Sequence, residues 1–297
     1  MSTPPFLTLP ASARSVRLTT GRGEFAALHA RPTAGRTLGT ALLVPGFTGS
    51  KEDFIALLEP LAAAGFEVVA VDQRGQHETG GPDDEAAYTL AELAQDLVAV
   101  TEAVTGATGA EGPVHLLGHS FGGYVVREAL LRAAAGDQPL PWQSLTLMGT
   151  GPGPVGTDEA ARAELLVSVL PPVMDLEAIW QAMRELDAAA GTEPVRDPEI
   201  ADFLHRRWLA NVPAALRVTG RQLVVEPDRV DELAAVKLPK LVLSGERDYA
   251  WPVPEQAGMA ERLGARHVSV AGAGHSPNAE RPAETAAELA RFWDSVS

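Results

Sequence analysis

One serine stands between two glycines at a spacing that matters chemically: Gly118-His119-Ser120-Phe121-Gly122. The pattern is G-x-S-x-G, and its context is what gives it meaning. A short apolar run, Val114 to Leu117, precedes it and reads as a buried strand, and Phe121 to Ala135 reads as a helix closed by Gly136. A turn this tight strains the central residue and brings the positions two before and two after it into contact, so glycine is needed at 118 and 122. Such a turn lifts the Ser120 hydroxyl above the carboxyl edge of a sheet. It also sets the Phe121 N–H at a helix N-terminus, where negative charge is favoured.

A serine hydroxyl needs a base to act as a nucleophile. Of seven histidines, His275 alone lies in a glycine-rich loop after the last strand, Gly272-Ala273-Gly274-His275-Ser276-Pro277. The base in turn needs an acid to fix its tautomer. The loop after the strand at Lys240 to Ser244 carries Glu246 and Asp248, of which Asp248 is the better candidate and Glu246 the rival. The loop after Met148 has no acidic residue near its start. The order is then Ser120, Asp248, His275. A developing oxyanion would find two backbone donors, the Phe121 N–H and the Phe47 N–H of the early loop Pro45-Gly46-Phe47-Thr48-Gly49-Ser50.

The elements that must hold these residues alternate. Strands are expected at Ser15 to Thr20, Glu24 to Arg31, Thr40 to Val44, Glu67 to Val71, Val114 to Leu117, Leu145 to Met148, Lys240 to Ser244 and His267 to Val270. Helices are expected at Asp53 to Ala64, Leu90 to Thr105, Phe121 to Ala135 and Pro282 to Asp294. This rhythm implies an α/β architecture, a mainly parallel sheet with helices on its faces. Residues 1–14 read as a loose tail. The rhythm stops after Met148, and residues 149–236 are mostly helical, with Arg221 to Val225 the nearest thing to a strand. The expected organisation is therefore a core of residues 1–148 and 237–297 with a helical insertion of residues 149–236.

These motifs resemble the α/β-hydrolase superfamily over most of the chain outside the insertion. Gly118-His119-Ser120-Phe121-Gly122-Gly123 resembles its nucleophile elbow, Gly245-Glu246-Arg247-Asp248 its acid loop, Gly274-His275-Ser276-Pro277 its histidine loop and Asp72-Gln73-Arg74-Gly75 a structural turn. The resemblance implies an α/β-hydrolase fold with a cap inserted between core strands 6 and 7, a Ser120–His275–Asp248 triad and no cofactor. It implies hydrolysis of a carboxylic ester, thioester or lactone with an apolar moiety. The same triad also serves carbon–carbon hydrolysis, perhydrolysis and transferase, cyclase or lyase steps, and a non-catalytic ligand receptor is a further alternative. Trp180 and Trp208 are the first candidates for the wall of a pocket under the cap. Two stretches depart from the family pattern. The early loop reads Pro45-Gly46 where His-Gly is usual, and Gln76-His77-Glu78 replaces a usual Gly-x-Ser. The second reads as an altered site entrance or as drift, with drift the simpler.

Composition narrows the partners. The formal net charge is −15, which repels nucleic-acid backbones, and no basic block offsets it. There are no cysteines, hence no disulfide, thiol nucleophile or thiolate-held metal, and no histidine–carboxylate spacing suggests a metal site. Gly151-Pro152-Gly153-Pro154-Val155-Gly156 fits G-x-G-x-x-G, but its prolines remove the N–H groups a phosphate would need. No run approaches the length of a membrane helix, and the first residues have no apolar core suited to a secretion signal, so the cytoplasm is the expected compartment. Oligomeric state leaves no mark in the sequence.

Overall fold

The computed structural model describes residues 2–33, 35, 37–108, 112–136 and 138–297. Eight strands form one sheet: β1 (Ala13–Thr20), β2 (Gly23–Ala30), β3 (Gly39–Val44), β4 (Phe66–Val71), β5 (Val114–His119), β6 (Ser144–Met148), β7 (Lys240–Gly245) and β8 (Arg266–Val270). Their order across the sheet is β1-β2-β4-β3-β5-β6-β7-β8. The β1–β2 and β2–β4 pairs are antiparallel, and every pair from β4 through β8 is parallel. All eight expected strands are present, and the fold is that of an α/β hydrolase.

Alternate residues of each central strand serve opposite faces, as the period of two requires. Leu42, Val44, Leu116, Leu147 and Val242 pack with helices α2 (Leu90–Thr108) and α3 (Phe121–Ala134). Ala41, Leu43, Leu117, Leu241 and Leu243 pack on the other face, beneath helix α1 (Ile55–Ala63) and the C-terminal helix. Because both faces are covered, β3, β4, β5, β6 and β7 are buried along their whole length.

The register explains where the loops meet. Val44 pairs with Gly118, so the loop leaving β3 stands beside the turn leaving β5. Between these two strands the chain reverses its direction of travel across the sheet, the place where ligand crevices form in such folds. At the far side Gly245 pairs with Val270, so the loops leaving β7 and β8 emerge together.

After β6 come α4 (Thr157–Val169), α5 (Leu176–Ala189), α6 (Pro198–Leu209), α7 (Pro213–Val225) and α8 (Val230–Ala235). Arg221 to Val225, the nearest thing to a strand in this segment, is the last part of α7: Leu223 faces the core while Val225 is 69% exposed, a helical rather than an alternating pattern. Leu170, Ile179, Trp180, Phe203, Trp208 and Leu216 form a separate apolar cluster against which Phe47 also packs. These helices touch loops at the carboxyl ends of the strands. Arg207 on α6 pairs with Asp53 at 2.6 Å, both buried, and the Val212 N–H donates to the Gly75 carbonyl at 3.0 Å.

The remaining helices are α9 (Val253–Leu263), α10 (Pro277–Glu280) and α11 (Pro282–Asp294). The tail is not loose throughout. The Ser2 carbonyl accepts from Arg207 at 2.7 Å and Leu9 packs against the core.

Candidate active site

Ser120 follows β5 directly and has φ 55 and ψ −124, a conformation that costs a non-glycine residue about 1–3 kcal/mol. Its surroundings hold it there. The Ser120 N–H donates to the Met148 carbonyl at 2.9 Å, and the Ser120 carbonyl accepts from Gly123 at 2.8 Å. A Cβ at Gly118 would stand 2.4 Å from the Gly122 carbonyl oxygen, and one at Gly122 would stand 2.4 Å from that of Val44. Glycine at both places is thus a packing requirement of the turn.

The turn aims the serine at His275. The Ser120 hydroxyl lies 3.1 Å from His275 Nε2, and His275 Nδ1 lies 2.9 Å from Asp248 Oδ1. The Asp248 carboxylate is fully buried and well supplied with donors: the Ala250 N–H at 2.8 Å, the Trp251 N–H at 3.3 Å and Gln256 Nε2 at 2.9 Å. Burial pushes its pKa up, but the hydrogen bond and charge of His275 together with the two backbone donors outweigh that, and the carboxyl is held below its ordinary value. An ionised Asp248 only accepts, so His275 donates from Nδ1 and presents Nε2 as an acceptor to the Ser120 hydroxyl. That arrangement can take the serine's proton while the carboxylate stabilises the resulting imidazolium.

Glu246, the rival acid, points elsewhere. Its carboxylate accepts from the Gly272 N–H at 2.9 Å and braces the histidine loop. The two loops touch at Gly245, where any Cβ would overlap the Gly274 and Ala273 carbonyls. Glu280 holds the same loop through the Gly274 and Ser276 N–H groups. The other six histidines have local partners or packing: His29 with Glu67, His115 with Ser144, His205 with Glu177, His267 with Ser244, His77 against Phe203, and His119 with the His275 carbonyl.

The loop after β3 approaches the serine closely. A Cβ on Gly46 would lie 2.8 Å from the Ser120 Cβ, so only glycine permits the approach. Among the described residues, the Phe47 and Phe121 N–H groups have no protein acceptor. A shallow, partly open pocket with internal room for little more than a water molecule is lined by both phenylalanines and by Thr48, Gln76, Ala215 and Leu216. Trp180 and Trp208 do not line it. Trp208 is buried between helices with its indole N–H on the Leu176 carbonyl at 2.7 Å, and Trp180 stacks on His205. Groupings of three or more histidines and carboxylates suited to a metal are absent among the described residues.

Gln256, Gln73, Gln76 and the supporting role of His119 escaped the sequence reading. His119 had a visible signal, its place beside the nucleophile. Gln76 showed only as a departure from the family pattern, and Gln73 and Gln256 gave no signal.

Comparison with known proteins agrees with this architecture. EphD of Mycobacterium tuberculosis (strain ATCC 25618 / H37Rv), named a probable oxidoreductase, is 35% identical over 107 residues, 36% of this chain and 17% of that protein. RutD of Variovorax paradoxus (strain S110), whose name refers to carbamate hydrolysis, is 35% identical over 107 residues, 36% of each chain. Each match spans well under half of the relative. An esterase from Thermogutta terrifontis shares the fold with a TM-score of 0.69 at 23% identity, covering 95% of this chain and 99% of that one. The family described as "Alpha/beta hydrolase family" matches residues 41–288, from within β3 to within α11. The chain therefore belongs to the alpha/beta hydrolase family.

Proposed function

We propose that the protein is a serine hydrolase that cleaves a carboxylic ester, thioester or lactone through an acyl intermediate on Ser120. The observation that carries this reading is the unbroken hydrogen-bond chain from the Ser120 hydroxyl through His275 to the buried Asp248. In the first half-reaction Ser120 Oγ adds to the carbonyl carbon and its proton passes to His275 Nε2. The oxyanion is met by the Phe47 and Phe121 N–H groups. The intermediate collapses, His275 gives the proton to the leaving oxygen or sulfur, and the acyl group stays on Ser120. Water then repeats the sequence and releases the acid.

Residues 149–236 act in this reading as a cap. Support comes from the contacts of α6 and α7 with the loops after β3 and β4, and from the packing of Phe47 against the cap's apolar cluster. The pocket beside Phe47 and Phe121 is shallow and lined mainly by apolar side chains, and in this reading the apolar part of the substrate lies against it. The net charge of −15 speaks against nucleic acid as a partner. No described helix is long and apolar enough to cross a membrane.

The test is covalent. A fluorophosphonate probe should add to Ser120, as read by peptide mass, and Ser120→Ala should lose both labelling and turnover on a panel of ester, thioester and lactone substrates. Full turnover by a folded Ser120→Ala variant overturns the mechanism. Labelling without hydrolysis of any panel member points to another reaction of the same triad.

A further inference from the structure

Gln76 stands where the sequence departs from the family's usual continuation after its D-x-R-G turn, and its side chain is buried. Its amide bridges two loops. Oε1 accepts from the Gln73 N–H at 3.1 Å, and Nε2 donates to the Gly46 carbonyl at 2.8 Å. A backbone N–H can only donate, so the oxygen must face Gln73 and the NH₂ must face Gly46; the amide has one orientation. The side chain of Gln73 holds the preceding carbonyl in the same way, Nε2 to the Pro45 oxygen at 2.8 Å.

The bond to Gly46 fixes more than a carbonyl. In a trans peptide the N–H points opposite to the C=O. The Gly46 oxygen also accepts from the Gly49 N–H at 3.1 Å, so two donors pin that end of the Gly46–Phe47 peptide. The other end is the Phe47 N–H. Gly46 itself is packed against the nucleophile, since a Cβ there would meet the Ser120 Cβ at 2.8 Å and its Oγ at 3.2 Å. The next residue, Thr48, has φ 57, unfavourable for a β-branched side chain, so the loop is held in a strained conformation. Freed from Gln76, the peptide could rotate and relax.

We infer that Gln76, locked by the Gln73 N–H, is a positioning residue that directs the Phe47 N–H toward the oxyanion formed at Ser120. The inference rests on the serine-hydrolase reading above. The two departures of this sequence then belong together. Pro45-Gly46 replaces His-Gly in the loop that must be held, and Gln76 supplies the hold from the neighbouring loop.

Two variants test it. Gln76→Ala removes the donor. Gln76→Glu keeps the size and the acceptor for Gln73 but sets a carboxylate oxygen against the Gly46 carbonyl. On p-nitrophenyl acetate, Q76A should lower kcat by about 10–100-fold, approaching the loss of one oxyanion donor, while KM moves less than about threefold. A boronic acid that becomes tetrahedral on Ser120 should lose affinity by a similar factor. Q76E should show a signature that a purely structural brace would not. Its buried carboxyl titrates above the ordinary range, and once protonated it again offers an O–H to Gly46. The ratio of Q76E to wild-type kcat should therefore climb as pH falls from about 8 to about 6, a ratio in which any pH dependence common to both proteins cancels. A folded Q76A with kcat within about twofold of wild type, or a ratio for Q76E that stays flat, overturns the positioning role. Should Q76A fail to fold, Q76E and its pH ratio decide. If wild type neither hydrolyses esters nor takes the probe at Ser120, the serine-hydrolase reading fails and this inference falls with it. If wild type is active and the Gln76 variants match it, the positioning role alone fails.

Discussion

The imidazole of His119 donates from Nε2 to the carbonyl oxygen of His275 at 3.0 Å, so the residue before Ser120 holds the backbone of the residue opposite it. The two rings lie 5.1 Å apart. His119→Phe keeps a ring of similar size and removes the donor. An abandoned buried carbonyl costs about 1–3 kcal/mol, to be read from urea unfolding. Displacement of His275 should also lower kcat by about 10–100-fold with fluorophosphonate labelling still possible but slower. A variant of unchanged stability and rate would show that the bond does not position His275.

Buried histidines should set part of the acid limit. Burial lowers the pKa of His115 to about 4; burial, and after it the charge of His275, lowers that of His119 to about 3. In the unfolded chain both titrate near the ordinary 6.5. Between these values the unfolded chain binds more protons, so stability is full above about 6.5 and falls as pH falls through the window. The slope approaches about 1.4 kcal/mol per pH unit for each proton taken up. Urea midpoints at about pH 7, 6 and 5 measure it, and His115→Gln should flatten the dependence. An unchanged slope in that variant would rule out His115 as a contributor.

Ser120 carries a backbone conformation that glycine tolerates better than alanine. Both Ser120→Gly and Ser120→Ala should lose turnover. The glycine variant should nonetheless be the more stable of the two by about 0.5–1 kcal/mol, because relief at φ 55 exceeds the entropy lost on ordering glycine. Thermal midpoints of the two proteins give the comparison, and a more stable alanine variant would mean that the turn stores no strain.

The two acidic residues of the β7 loop should separate cleanly. Asp248→Asn presents His275 with the wrong partner and should reduce kcat by about 10³–10⁴-fold. Glu246→Gln weakens only the brace to the Gly272 N–H and should cost less than about tenfold. Steady-state rates on one ester decide between them, and the reverse order would reassign the acid.

Much of this arrangement was legible before any coordinates. The strands were visible because the central sheet is buried on both faces, which leaves runs such as Ala41 to Val44 and Val68 to Val71 with few polar interruptions. Ser120 and His275 were visible because glycines mark their loops. Helix α9 was readable but overlooked: Gln256, Met259, Ala260 and Leu263 recur at helical spacing, and Gly264 ends it in the left-handed region. The end of α7 was the least clear part of the insertion because two consecutive valines favour a strand locally, while packing of Leu223 fixes a helix. Gln76 was visible only as a departure from the family pattern, and the roles of Gln73 and Gln76 could not be read. Their bonds to Pro45 and Gly46 cross about thirty positions and leave no periodicity behind. The same holds for Arg207 and Asp53, whose pairing joins α6 to the loop after β3.

The pairing of Gly245 with Val270 sets the loops of Asp248 and His275 side by side. Asp248 and His275 hang from the last two strands at one margin of the sheet, and their loops cross where Gly245 leaves no room for a side chain. Asp248 and His275 are therefore braced together, and the His119 bond ties them to the Ser120 turn. Ser120 and the loop of Phe47 belong to the interior pair β3 and β5. Loosening of the outer margin, where β8 is only partly covered, would strain the His119 bond and draw His275 away from Ser120 without parting it from Asp248. Activity would then fade with heat ahead of global unfolding, and the interval between the two temperatures would gauge how firmly that margin is fastened.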